Sequence, residues 1–106
     1  KPAIDEAFVR QLGQAAHRAG DGLLRQLLDA QQADSVRARN WSAALVALAL
    51  QTDGNKQVLA DWVAKWAPLG DAASDAFCAA LPDAGDAAAQ AKDEAEAFRA
   101  GLGLGR

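Results

Sequence analysis

The 106-residue chain has no tyrosine and no methionine, and it holds one cysteine and one histidine. Each shortage closes a possibility. A single cysteine, Cys78, permits no intrachain disulfide and fits a reducing, cytoplasmic setting. Cys78 sits beside Phe77 on the apolar side of a helical pattern and reads as a small buried hydrophobe rather than a nucleophile. A carboxylate-bridged metal pair in a helical bundle needs two histidines, each in a Glu-x-x-His step. The lone His17 follows Gln14, and glutamates stand only at positions 6, 94 and 96. That centre cannot be assembled from this sequence, and His17 reads as a polar helix residue without co-ligands.

Other absences are as informative. The longest apolar run, residues 43–50, falls short of the roughly 18–20 residues of a membrane span. No basic-then-apolar leader opens the chain. The net charge of −3 and pI of about 4.9 offer no basic surface to nucleic acid or an anionic membrane. Ser35, Ser42 and Ser74 lie outside any Gly-x-Ser-x-Gly elbow. The terminal Gly101-Leu102-Gly103-Leu104-Gly105 lacks the strand-turn-helix setting of a phosphate loop and should fray. A first residue of Lys1 instead of methionine reads as a piece of a longer protein, or a processed chain.

What is present is helical period almost throughout, an all-α pattern suited to an antiparallel bundle. Phe8, Leu12, Ala16, Ala19, Leu23 and Leu27 keep helical phase through Gly20-Asp21-Gly22. This predicts one helix from about Ile4 to Ala30, its glycines admitting a close neighbour, with a break near Gly20 as the alternative. The stretch Gln31-Gln32-Ala33-Asp34 has no apolar face and reads as a joint. Asp34 then caps a second helix over 35–50 whose inward face carries Ala38, Trp41, Leu45 and Leu48. Gly54 ends that helix, and Asn55 is placed to cap the third.

The third helix carries Val58, Trp62, Trp66, Leu69, Ala73, Phe77 and Ala80 on one stripe, with Pro68 predicting a kink and Leu81-Pro82-Asp83 a stop. An alanine-rich fourth helix runs to about Ala100, anchored by Phe98. Glu6–Arg10, Asp21–Arg25 and Asp61–Lys65 are spaced as acid-before-base pairs one turn apart.

Trp62 and Trp66 share a face and command a large area. They are either core anchors opposite Trp41 or a hot spot for another subunit. Arg37 and Arg39 make a short basic spot, either a salt-bridged face or an anchor for an acidic partner, and Arg37 is placed to stack on Trp41. The fourth helix brings little bulk to cover both indoles and the Leu45/Leu48 face. The candidate packing residues are therefore Trp41, Trp62, Trp66, Leu69, Phe77, Arg37 and Arg39.

The stretches RARNWSAALVALAL (37–50) and NKQVLADWVAKWAPLGDAASDAFCAALPD (55–83) resemble the C-terminal part of the β subunit of bacterial multicomponent monooxygenase hydroxylases, nearest to the phenol hydroxylase and toluene monooxygenase branch. Arg37, Arg39, Trp41, Leu45 and Val46 fill the first part of the pattern, with Trp41 one position nearer the arginines. Asn55, Val58, Leu59, Trp62, Trp66, Pro68 and Leu69 fill the second, and FRAGLGL (98–104) resembles the ending.

The resemblance implies a ferritin-like helical subunit without metal, with this chain as its last third and a single helical segment over 1–106. It also implies a catalytic α subunit holding the di-iron site, a small γ subunit and an α2β2γ2 assembly active on aromatic or other hydrocarbons. No catalytic residue of the family falls on a position here. The alternative from a different class is a stand-alone small-molecule-binding or regulatory bundle, with the tryptophans lining its pocket.

Overall fold

A computed structural model describes residues 2–104. The described residues form four helical stretches and no strand, as the periodicity predicts. The first, α1, is continuous but changes pitch. Pro2–Ile4 and Leu12–Arg18 are α-helical, and Asp5–Gln11 between them is a π-helix. Helix α2 is Gly22–Ala49, α3 is Asn55–Ala79 and α4 is Ala87–Ala100.

The predicted single helix over 4–30 is two helices. Gly20 takes φ 77, and its N–H donates to the His17 carbonyl while that of Asp21 donates to Ala16. These two bonds close a Schellman turn, which needs a left-handed residue and so favours glycine. Asp21 then caps α2, its Oδ1 accepting the Leu24 N–H at 3.0 Å. The expected pairing of Asp21 with Arg25 gives way to this cap, and Arg25 pairs with Asp29 at 2.9 Å.

The joint expected at Gln31–Asp34 is absent. Helix α2 passes straight through, because glutamine and alanine are good helix formers and nothing there breaks the ladder. Asp34 is accordingly no cap; it bonds Arg37 on the helix surface at 3.1 Å. The N-cap of α3 is Gly54 at φ 88, and Asn55 instead turns back to donate from Nδ2 to the Ala49 carbonyl at 2.9 Å. It thus covers an open end of α2, not of α3. Helix α3 continues unbroken through Pro68.

The middle position belongs to α1, which packs against α2 on one side and against α3 and α4 on the other, whereas α2 and α3 scarcely touch. Small residues make this possible. Ala3, Ala7, Ala15, Ala16, Ala87, Ala91 and Ala95 are buried, and Leu28 and Val9 are the only aliphatics larger than alanine among the buried hydrophobics of the described residues. The tightest cluster joins Ala7, Cys78, Ala87 and Ala91, with Phe77 packed beside it.

Most of the large residues on the apolar stripes predicted to face inward do not, although Ala16 is buried and Phe77 packs beside the core. Phe8, Leu23 and Leu27 of the first stripe are exposed, as are Trp41, Leu45 and Leu48 of the second and Val58, Trp62, Trp66 and Leu69 of the third. From residue 36 to residue 73 no position is buried. The body is long and flat, 51 × 24 × 14 Å, with a radius of gyration of 15.2 Å, where a compact chain of this length has about 13 Å. Its accessible surface is 6791 Å², against about 5,600 Å² for a compact monomer of its mass.

Candidate functional site

The conspicuous feature is the hairpin formed by the second half of α2, the Gly54 turn and most of α3. Eight of its large apolar side chains are exposed and none is fully buried. Trp41, Trp62 and Trp66 are 67%, 58% and 59% exposed. Four-residue spacing puts Trp62 and Trp66 on one face of α3, with Leu69 close to the same line. Lys65 lays its ammonium 5.0 Å from the centre of the Trp66 ring, a cation–π contact that leaves the rest of the indole free to pack.

Beside these rings lies an apolar groove of about 270 Å³, with Pro2, Ala3, Phe98 and Leu102 opposite the tryptophans. That volume lies just under the range of about 300–1,000 Å³ usual for small-molecule sites. A second, smaller apolar groove of about 230 Å³ runs past Ile4, Phe8 and Phe77. There the Phe8 and Phe77 rings meet at 5.7 Å in a tilted arrangement.

The seven residues singled out by sequence divide. Trp62, Trp66 and Leu69 are brought together on α3. Trp41 stands apart on α2, and Phe77 turns to the body. Arg37 is exposed and bonds Asp34, not Trp41. Arg39 points inward and bonds the Glu6 carboxylate at 2.8 Å. Glu6 is only 1% exposed and also accepts from Arg10 at 3.3 Å.

Sequence reasoning missed the Glu6–Arg39 pair, since a contact across 33 positions leaves no local signature. It also missed the clamp at the other root of the hairpin. There Arg99 of α4 grips Asp71 of α3 with two nitrogens, at 2.9 to 3.2 Å.

The residues do not fit a di-iron centre. Among the described residues no group of three histidine, cysteine or carboxylate side chains could share a metal ion. Glu6 is committed to two guanidiniums, Glu94 lies 3.9 Å from Arg10, and His17 is exposed on the surface. No step of iron chemistry is assigned to this chain. No described helix is long and apolar enough to cross a membrane.

The geometry is that of a helical element with unfilled apolar faces. The Methane/Phenol/Alkene Hydroxylase family matches residues 1–53, half of the chain, and the chain belongs to that family. Across 81 residues, 76% of its length, it is 41% identical to the hydroxylase component subunit beta of the toluene-4-monooxygenase system of Ectopseudomonas mendocina. The match spans about a quarter, 25%, of that relative's length.

Proposed function

We propose that this chain is part of the non-catalytic β subunit of a multicomponent di-iron hydroxylase acting on aromatic or related hydrocarbons. In this reading the hairpin over 36–73 is the docking element, and Trp41, Trp62, Trp66 and Leu69 supply its apolar contacts. The catalytic α subunit holds the metal and performs the oxidation. A small γ subunit completes an α2β2γ2 assembly in the cytoplasm.

The observation that carries the reading is the hairpin without a buried residue. A soluble monomer does not leave three indoles and a run of leucines in water without a use for them. The excess surface, about 1,200 Å² over a compact monomer, exceeds the roughly 800 Å² per partner of a standard interface. The relationship to a hydroxylase β subunit points the same way, and so does the poor fit of the side chains to iron.

Co-expression of the full-length subunit with a hydroxylase di-iron α subunit from the same source tests the proposal. A stable complex, with iron counted only against the partner, is expected. A full-length chain that stays monomeric beside that partner would overturn it. Tryptophan quenching separates this from a small-molecule site, because saturable micromolar binding of an aromatic ligand to the unassembled chain is expected only of the latter.

A further inference from the structure

No residue from 36 to 73 is fully buried, so apolar contact holds the hairpin to the body only through half-buried residues such as Val63, Ala67 and Gly70. Yet each of its legs is fastened at its root by charge. On α2 the fastening is Arg39, whose Nη1 donates to Glu6 Oε1 at 2.8 Å. On α3 it is Asp71, which receives both terminal nitrogens of Arg99. One anchor lies in the π-helical stretch of α1 and the other near the end of α4. The two fastenings thus tie the two legs to different helices. Everything between them, residues 40–70, carries the exposed tryptophans.

We infer that Glu6–Arg39 and Asp71–Arg99 are positioning contacts that set the pose of the 40–70 hairpin on the body before it docks. The inference rests on the docking role proposed for the hairpin. The chemistry suits the task. Apolar contacts allow sliding, but a guanidinium fork held by a carboxylate fixes direction as well as distance. A buried charge pair adds little net stability compared with apolar residues of like size, and its best-attested use is to choose one register among several. Glu6 has the stronger commitment, being fully enclosed and shared with Arg10. The Asp71–Arg99 pair is partly open to solvent and is the more adjustable root.

The test uses the full-length subunit. Replacing both members of a pair by apolar residues of similar size, Glu6→Met with Arg39→Met, and separately Asp71→Leu with Arg99→Met, removes direction without burying an unpaired charge, since Arg10, which loses Glu6, is exposed and has Glu94 3.9 Å away. Amide hydrogen exchange within 42–66 should then speed up at least tenfold, with exchange in 23–30 and 87–97 unchanged. The fluorescence anisotropy of the tryptophans should fall with it. Unchanged exchange in the hairpin overturns the inference.

Should a double variant not fold, the unaltered subunit still decides the matter. Raising the salt from low to molar concentration screens the partly open Asp71–Arg99 pair more than the buried one. Exchange should rise in 56–70 before it rises in 42–49. A uniform rise, or none, refutes the positioning role. Affinity for the catalytic subunit, measured on the same variants, addresses the other reading. If the hairpin loosens while affinity holds, the roots act as stated and the docking role fails.

Discussion

Gly13 of α1 faces Leu28 of α2 so closely that a Cβ built at position 13 would lie 3.5 Å from the Leu28 Cβ. That is ordinary van der Waals contact rather than a clash. The two helices therefore meet at a distance that alanine also satisfies, although no larger side chain would.

It follows that Gly13→Ala should stabilise the fold, by up to about 1 kcal/mol, because glycine gives up more backbone freedom than alanine in a helix interior. Gly13→Leu should destabilise by about 1–3 kcal/mol through overpacking against Leu28. Urea midpoints of the two variants, with an unchanged slope, check both signs at once.

The same alanine change at Gly20 should act in reverse. No atom lies within 4 Å of a Cβ there, so crowding is not the issue. The residue sits at φ 77, in the left-handed region. A side chain in that conformation costs about 1–2 kcal/mol. Gly20→Ala should lower stability by about that amount, and Gly20→Asn should lose less. Opposite signs at positions 13 and 20 would confirm that one glycine serves packing and the other the turn.

Truncating the tryptophans should separate folding from assembly. Trp62→Ala and Trp66→Ala remove side chains that are mostly in water, and exposed substitutions ordinarily change stability by no more than about 0.5 kcal/mol. If those rings anchor an interface, each truncation should weaken association by about 2 kcal/mol or more. Unfolding curves and partner titrations on the same preparations read the two effects. A loss of folding stability as large as the loss of affinity would return the indoles to the core.

Much of the fold is legible wherever backbone chemistry is local. The Gly54 turn separates two helices and Leu81-Pro82-Asp83 follows the end of another, because glycine admits a left-handed turn and proline cannot continue a helix whatever surrounds it. The all-α character follows from helical phase alone. The stripe on α3 was also readable, since four-residue spacing places Trp62 and Trp66 together. What it faces was not readable, because periodicity defines a side of a helix and not its neighbour. The small residues that fill the interior, Ala87, Ala91 and Ala95 among them, carry little signal beside a tryptophan. The π-helix over 5–11 and the Glu6–Arg39 pair depend on a neighbour distant in sequence, and no pattern at either position announces them. The break at Gly20, which the glycines left open as the alternative, was masked by an apolar phase that happens to continue across the turn.

Cys78 supplies a prediction in pH. The residue is fully enclosed, and burial raises its thiol above the ordinary 9.0, with Ser74 opposing the shift and Asp75 adding to it. The folded chain therefore keeps the proton that the unfolded chain gives up first. Below pH 9 both states hold the proton, and the stabilisation is fully present. As pH climbs through 9 the unfolded state ionises and the folded state does not, so stability falls with pH. Cys78→Ala abolishes this slope while opening a small cavity beside Ala7 and Ala91. The expected outcome is a variant that is less stable than the parent at pH 7 and loses less on going from pH 8 to pH 10, read from urea midpoints at each pH. Parallel losses in the two proteins would mean that the thiol is not sealed from solvent. Alkylation under native conditions gives an independent check: Cys78 should react only as fast as the core opens, and denaturant should release it.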